Sequence, residues 1–146
     1  MAEKQAMSRR SLARRVASQA LYQWLVNETQ PEQMLSQFRE EGLGRADAAY
    51  FQELMSGCVR EAVPLTQAFS KHLDRELDQI DPVERAILMV GCYELMFEPS
   101  VPWRVAVNEA VNLAKTFGAA DSYKYINGVL DRIAHELRAD DIAAGL

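Results

Sequence analysis

The stretch SRRSLARRVASQALYQWL, Ser8 to Leu25, holds four arginines and no acid. Arg10, Arg14, Ser18 and Tyr22 follow one another four residues apart, so on a helix they form one line that ends at an aromatic ring. Arg9 and Arg15 flank that line. Guanidinium groups fork onto phosphates, and an aromatic ring beside them stacks on an unpaired base for about 1–3 kcal/mol. The chemistry on offer is recognition of a polyanion; the plainer reading is a solvated face with no partner.

A second stretch, KTFGAADSYKYINGVLDR, offers related chemistry. Gly118 to Asp121 turns the chain, and Ser122 opens a helix whose free N–H groups could accept a phosphate. Lys115, Lys124 and Tyr125 surround that start. Tyr125 lies one residue off the apolar row, so it is a boundary tyrosine or a ring shown to solvent. Asp121 opposes a pure anion site, because its charge repels phosphate.

Catalysis finds little support. The chain has no GxxxxGK[ST], GxGxxG or GxSxG run. Cys58 and Cys92 form no Cys-x-x-Cys, and His72 and His135 sit alone, so no metal spacing exists and neither a metal nor another cofactor is expected. The cysteines read as small buried residues in a reducing cytosol. Glu94, Asn108 and Glu109 read as candidate buried polar groups, held by a core network or a helix cap. The expectation is a binding protein, not an enzyme.

The charge distribution agrees. Residues 1–26 carry a net charge of +4, counting Glu3 and Lys4, on a chain whose total is −5. The remainder is therefore strongly acidic. Such asymmetry points to a polyanion or to a targeting signal. Arg-rich, acid-poor starts also mark transit peptides. Here the pattern runs without a cleavage-like boundary into ALYQWL, whose large side chains suit a packed core. No apolar run approaches the roughly 18 residues that span a bilayer, and no membrane partner is expected. A basic site on an acidic body fits single-stranded RNA better than duplex DNA, since no helix resembles a major-groove reader.

The elements that must position these residues are helices. On the first, Ala13, Val16, Ala17, Ala20, Leu21 and Trp24 share one face. A short helix is expected over Pro31–Glu41, stopped by EGLGR. A third begins near Asp47, buries Phe51, Leu54, Met55, Cys58 and Ala62, and ends before Pro64. A fourth, LTQAFSKHLDREL, spaces Leu65, Phe69, Leu73 and Leu77 by four. Asp81 then caps a helix with Pro82 in its first turn and Glu84 placed to close a capping box. Between Ala86 and Phe97 only Glu94 is charged, so this helix is the central strut. Two more follow: one places Val107, Ala110, Val111, Ala114 and Phe117 on one face and stops at Gly118, the other buries Ile126, Val129, Leu130, Ile133 and Leu137. Gly128 inside the last helix is expected to permit close approach of another backbone. The fold expected is all-α, with about seven helices in two small antiparallel bundles. Residues 1–79 and 80–139 form the two halves of one domain, and 140–146 is a frayed tail.

Three blocks carry a resemblance: RRVASQALYQW (14–24), VERAILMVGCYEL (83–95) and VPWRVAVNEAVNLAKTFGAADSYKYINGVLDRIA (101–134). In order, along essentially the whole chain, they resemble the NusB family of bacterial transcription antitermination factors. The resemblance implies an all-α fold of two helical bundles. It further implies binding of boxA RNA as a heterodimer with the NusE ribosomal protein, joined to RNA polymerase and other Nus factors during transcription of ribosomal RNA. Carried over by position, the RNA-facing residues are Arg10, Arg14, Tyr22, Ser122, Lys124 and Tyr125, with Arg9, Arg15 and Lys115 beside them. Ser11 and Leu12 stand where the family pattern has further basic residues. The NusE surface would include Asp78 and Glu84 on or near the central helix, where an acidic surface suits a basic protein. Some members form homodimers that hide the RNA face. A homo-oligomeric helical scaffold or regulatory protein with no selective RNA binding is the alternative. A related domain is fused to RNA cytosine methyltransferases, but the sequence shows no Gly-rich loop for a cofactor-binding domain.

Overall fold

The structure is a computed structural model in which residues 7–146 are described; Glu3 and Lys4, which enter the N-terminal charge count, lie outside them. Eight α-helices form, and no strand occurs among the described residues. They are α1 (Arg9–Asn27), α2 (Pro31–Glu41), α3 (Ala48–Arg60), α4 (Ala62–Ser70), α5 (Pro82–Phe97), α6 (Trp103–Phe117), α7 (Ser122–Leu137) and α8 (Ala139–Ala143), with a 3-10 turn at Leu77–Gln79. None is long and apolar enough to cross a membrane.

Local chemistry sets the boundaries. Ser8 caps α1 by accepting from the Ser11 N–H at 3.0 Å, and Asp47 caps α3 by accepting from the Tyr50 N–H at 3.0 Å. The expected third helix stops earlier than Pro64, at Arg60. Proline has no N–H for the Arg60 carbonyl and its ring crowds that oxygen, so the chain breaks at Glu61. It restarts as α4, with Pro64 in the first turn, where helix N–H groups lack intrahelical partners anyway. The expected fourth helix also ends early, at Ser70, yet Leu73 and Leu77 still pack half-buried against the core.

Asp81 caps α5 through the Val83 N–H at 2.7 Å. The expected capping box with Glu84 does not close; Glu84 Oε2 instead accepts from Ser122 Oγ at 2.7 Å. Residues Ala86 to Leu95 are buried without interruption. So α5 is the central strut, packed against α1, α3 and α4 on one side and α6 and α7 on the other. A Cβ on Gly91 would lie 2.7 Å from Leu130 Cδ1, so glycine is what lets α5 and α7 meet closely. Gly128 does not have the expected role: a Cβ there would meet nothing nearer than the Arg132 guanidinium at 3.5 Å.

The C-terminal residues are not frayed as expected. Arg138, 7% exposed, donates to the carbonyls of Glu94, Leu95, Glu98 and Val101 at 2.8–3.1 Å. It thereby satisfies the Leu95 carbonyl, which α5 leaves without an intrahelical partner because Pro99 has no N–H, and the Val101 carbonyl beyond it, while the Glu94 and Glu98 carbonyls also accept from the Glu98 and Val101 N–H groups. The chain continues as α8, and the Leu146 carbonyl accepts from Trp103 Nε1 at 2.7 Å.

Candidate nucleic-acid interface

The arginines of α1 divide into two roles. Arg14, expected to face RNA, is turned inward and only 4% exposed. Its Nε lies 3.0 and 2.9 Å from the two Glu94 oxygens, and Nη1 lies 3.1 Å from Glu109 Oε1. The reason is electrostatic: Glu94 is fully buried on α5, and a buried carboxylate needs a cation and donors. The Tyr50 hydroxyl donates to Glu94, and Ser11 Oγ donates to Glu109. Burial works against the Arg14 charge, but the two carboxylates outweigh it and hold its pKa above the ordinary arginine value. Burial, reinforced by Glu94, pushes the Tyr50 phenol well up. Of the three expected buried polar groups, Glu94 and Glu109 belong to this network, while Asn108 is exposed.

Arg9, Arg10, Arg15 and Tyr22 stay outside. Arg9 Nε donates to the Arg45 carbonyl at 3.1 Å. Arg10 lies 4.0 Å over the Tyr50 ring, and Arg15 lies 5.2 Å over the Phe117 ring. Tyr22 is 40% exposed and lines a groove of about 490 Å³ with Ser18, Gln37, Phe38, Val83 and Phe117. Phe117 closes α6, so it joins the α1 surface to the α6–α7 turn.

That turn carries the second cluster. Lys115 and Lys124 are exposed and place their ammonium groups 5.1 and 5.9 Å from the ring of Tyr123. Tyr123 was not singled out from the sequence, and it is the ring that both lysines approach. Its signal was available: it stands eight residues after Lys115 across a tight turn, beside Lys124. Tyr125 has a different setting. It is half-buried, and Arg75 lies 4.4 Å over its ring. Burial and the neighbouring Asp74 carboxylate push its phenol upward. Ser122 is 5% exposed and spends its hydroxyl on Glu84, so it anchors α7 to α5 instead of presenting that hydroxyl to a ligand. Asp121 sits in the left-handed region at φ 67° and approaches Lys124 at 3.4 Å.

Of the residues expected to meet a protein partner, Asp78 is exposed in the 3-10 turn, whereas Glu84 is half-buried and engaged by Ser122. Among the described residues no group of three or more His, Cys, Asp or Glu side chains is placed to share a metal ion. The geometry brings together a basic and aromatic surface over α1 and the α6–α7 turn, held on a rigid helical body. Such a surface can pair with phosphates and stack on bases.

Residues 11–135 match the NusB family. The transcription antitermination protein NusB of Ralstonia pickettii (strain 12J) is 46% identical over 140 residues, covering 95% of this chain and 90% of that protein. That of Burkholderia mallei (strain SAVP1) is 45% identical over 138 residues, covering 94% and 95%. Among solved structures, antitermination factors NusB and NusE in complex with dsRNA include a chain that matches with a TM-score of 0.80 at 28% identity, covering 90% of this chain and 99% of that one. NusB of T. maritima matches with a TM-score of 0.76 at 29% identity, covering 90% and 94%.

Proposed function

The chain belongs to the NusB family, and we propose that it is an RNA-binding transcription antitermination factor that engages boxA-type RNA together with the NusE ribosomal protein. In that role it joins RNA polymerase and other Nus factors in the cytoplasm and promotes processive transcription of ribosomal RNA operons. It acts by binding and carries no catalysis of its own.

The observation that carries the RNA reading is the continuity of the basic surface. Arg15 lies over Phe117 at the end of α6, and Lys115 on that helix and Lys124 across the turn both approach Tyr123, with Asp121 the acidic side chain beside Lys124. Arg9, Arg10, Arg15, Lys115 and Lys124 supply phosphate contacts. Tyr123 and Tyr22 offer ring faces, and Tyr125 serves once Arg75 moves aside. NusE is proposed to dock where α5 begins, against exposed Asp78 and the neighbourhood of half-buried Glu84. Carboxylates at that place suit a basic ribosomal protein.

The test is a titration of boxA RNA, scrambled RNA and a duplex of the same sequence, with and without NusE, at several salt concentrations. Selective binding that strengthens with NusE is expected, with log K falling by roughly 0.7 per neutralised phosphate per unit of log salt for a single strand. The duplex arm is included because the solved relative with NusE holds dsRNA. Weak, unselective, salt-independent binding in every arm would overturn the proposal and leave a helical scaffold.

A further inference from the structure

We infer that Tyr50 is a positioning residue for RNA, which presents the Arg10 guanidinium at the nucleic-acid surface while buried Glu94 fixes Tyr50 itself. The inference rests on the reading of α1 as RNA-facing.

Arg10 is exposed, and among the described residues no carboxylate lies within ion-pair distance of it. A long side chain in that state normally samples many rotamers, and ordering it on binding costs affinity. Here its guanidinium carbon sits 4.0 Å over the Tyr50 ring centroid. A guanidinium stacked on a ring keeps its N–H edges free, and those edges are what fork onto a phosphate. The clamp thus holds the cation without consuming its donors.

Tyr50 is well fixed for this task. It is 5% exposed, its N–H is held by Asp47, and its hydroxyl donates to Glu94. Donation to an anion enriches the ring in electron density and strengthens its attraction for a cation. The network beneath carries two carboxylates, Glu94 and Glu109, against the single charge of Arg14, so its excess negative charge also draws Arg10 down. The two helices are tied directly: the Asp47 N–H donates to the Arg9 carbonyl at 3.0 Å, beside Arg10 in the chain.

The experiment uses the full chain with Tyr50→Leu, Tyr50→Phe, Arg10→Ala and the Tyr50→Leu/Arg10→Ala pair, each checked for folding by circular dichroism. Affinity for boxA RNA is read by fluorescence anisotropy at low salt. Tyr50→Leu is expected to weaken binding about two- to fivefold, the range for an exposed cation on an aromatic face. Tyr50→Phe keeps the ring but loses the bond to Glu94, so its affinity should fall between those of the wild type and Tyr50→Leu. In the Arg10→Ala background, Tyr50→Leu should cost nothing further. Equal losses from Tyr50→Leu with and without Arg10, or no loss in a folded variant, would overturn the inference.

A second measurement needs no RNA and no variant that must fold. In the free wild type, the Arg10 δ-methylene protons should be shifted upfield by the Tyr50 ring current. Unshifted resonances would overturn the clamp. A wild type that binds no RNA while showing the shift would instead overturn the proposed function, so the two failures are distinguishable.

Discussion

Arg14 and Glu94 stand 80 residues apart in the chain and meet in the core, with Arg14 Nε 3.0 and 2.9 Å from the two oxygens of the carboxylate. The pair fixes α1 to α5, and Glu109 from α6 closes the same guanidinium from the other side at 3.1 Å. The helix proposed to offer RNA its basic face is therefore held by an arginine that is itself buried.

Arg14→Ala would leave Glu94 and part of Glu109 as buried, uncompensated carboxylates. Removing one partner of such a pair costs about 3–5 kcal/mol. The expected result in urea denaturation is a loss of that size. Arg14→Lys should recover only part of it, because an ammonium cannot match the fork. A loss below about 1 kcal/mol, the usual level for an exposed pair, would contradict the buried network.

The two tyrosines near the start of α7 should separate. Tyr123→Ala removes the ring that Lys115 and Lys124 approach, so boxA affinity should fall by about 1–3 kcal/mol with a small change in stability. Tyr125→Ala empties a half-buried site, so its main effect should be on thermal stability. Parallel anisotropy and melting measurements decide between them, and equal RNA losses from both variants would show that Arg75 yields the Tyr125 face readily.

The contrast shows what a single sequence makes legible. Asp81-Pro82 announced α5, and the run from Ala86 to Phe97 announced its burial, because both signals are local. The i+4 line through Arg10, Arg14, Ser18 and Tyr22 was also local, but it runs along the margin of the buried face, and spacing does not say which member turns inward. That choice is made by Glu94, a long-range partner; the one charged residue in an apolar helix was itself the available clue that a cation must reach it. Ser122 and Glu84 were read as facing two different ligands, and tertiary packing spends them on each other. Arg138 escaped notice for the same reason: its four carbonyl partners lie at and beyond the end of α5, with nothing nearby in the chain to mark them.

Arg138→Ala should be costly for so small a piece of sequence. It strips donors from carbonyls that are mostly buried and loosens α8, which begins at the next residue. The Glu94 and Glu98 carbonyls keep their backbone donors, and leaving those of Leu95 and Val101 unpaired costs about 2–4 kcal/mol in all. Chemical denaturation should show that loss, and hydrogen exchange should show faster opening at the C-terminal turn of α5. A variant with unchanged exchange at Leu95 to Phe97 would mean that water replaces the guanidinium without penalty.

Alkaline pH should unfold the protein through its buried weak acids. Cys58 and Cys92 are both fully buried; burial pushes the Cys92 thiol up to about 12 and Cys58 well above its usual value. Tyr50 and Tyr93 are raised as well, again first by burial. The sign follows from proton binding. Between an unfolded thiol pKa near 9 and the folded value near 12, the unfolded chain releases a proton that the native state keeps. Stability contributed by Cys92 is therefore complete below about pH 8.5 and falls by about 1.4 kcal/mol per pH unit above it until the folded value is reached. Urea midpoints measured from pH 8 to 11 should decline steadily, and Cys92→Ala should decline less steeply by that amount. Across the same range neither thiol should react with a disulfide reagent until the protein unfolds, and rapid native-state labelling at pH 8 would show that these cysteines are not buried as they stand here.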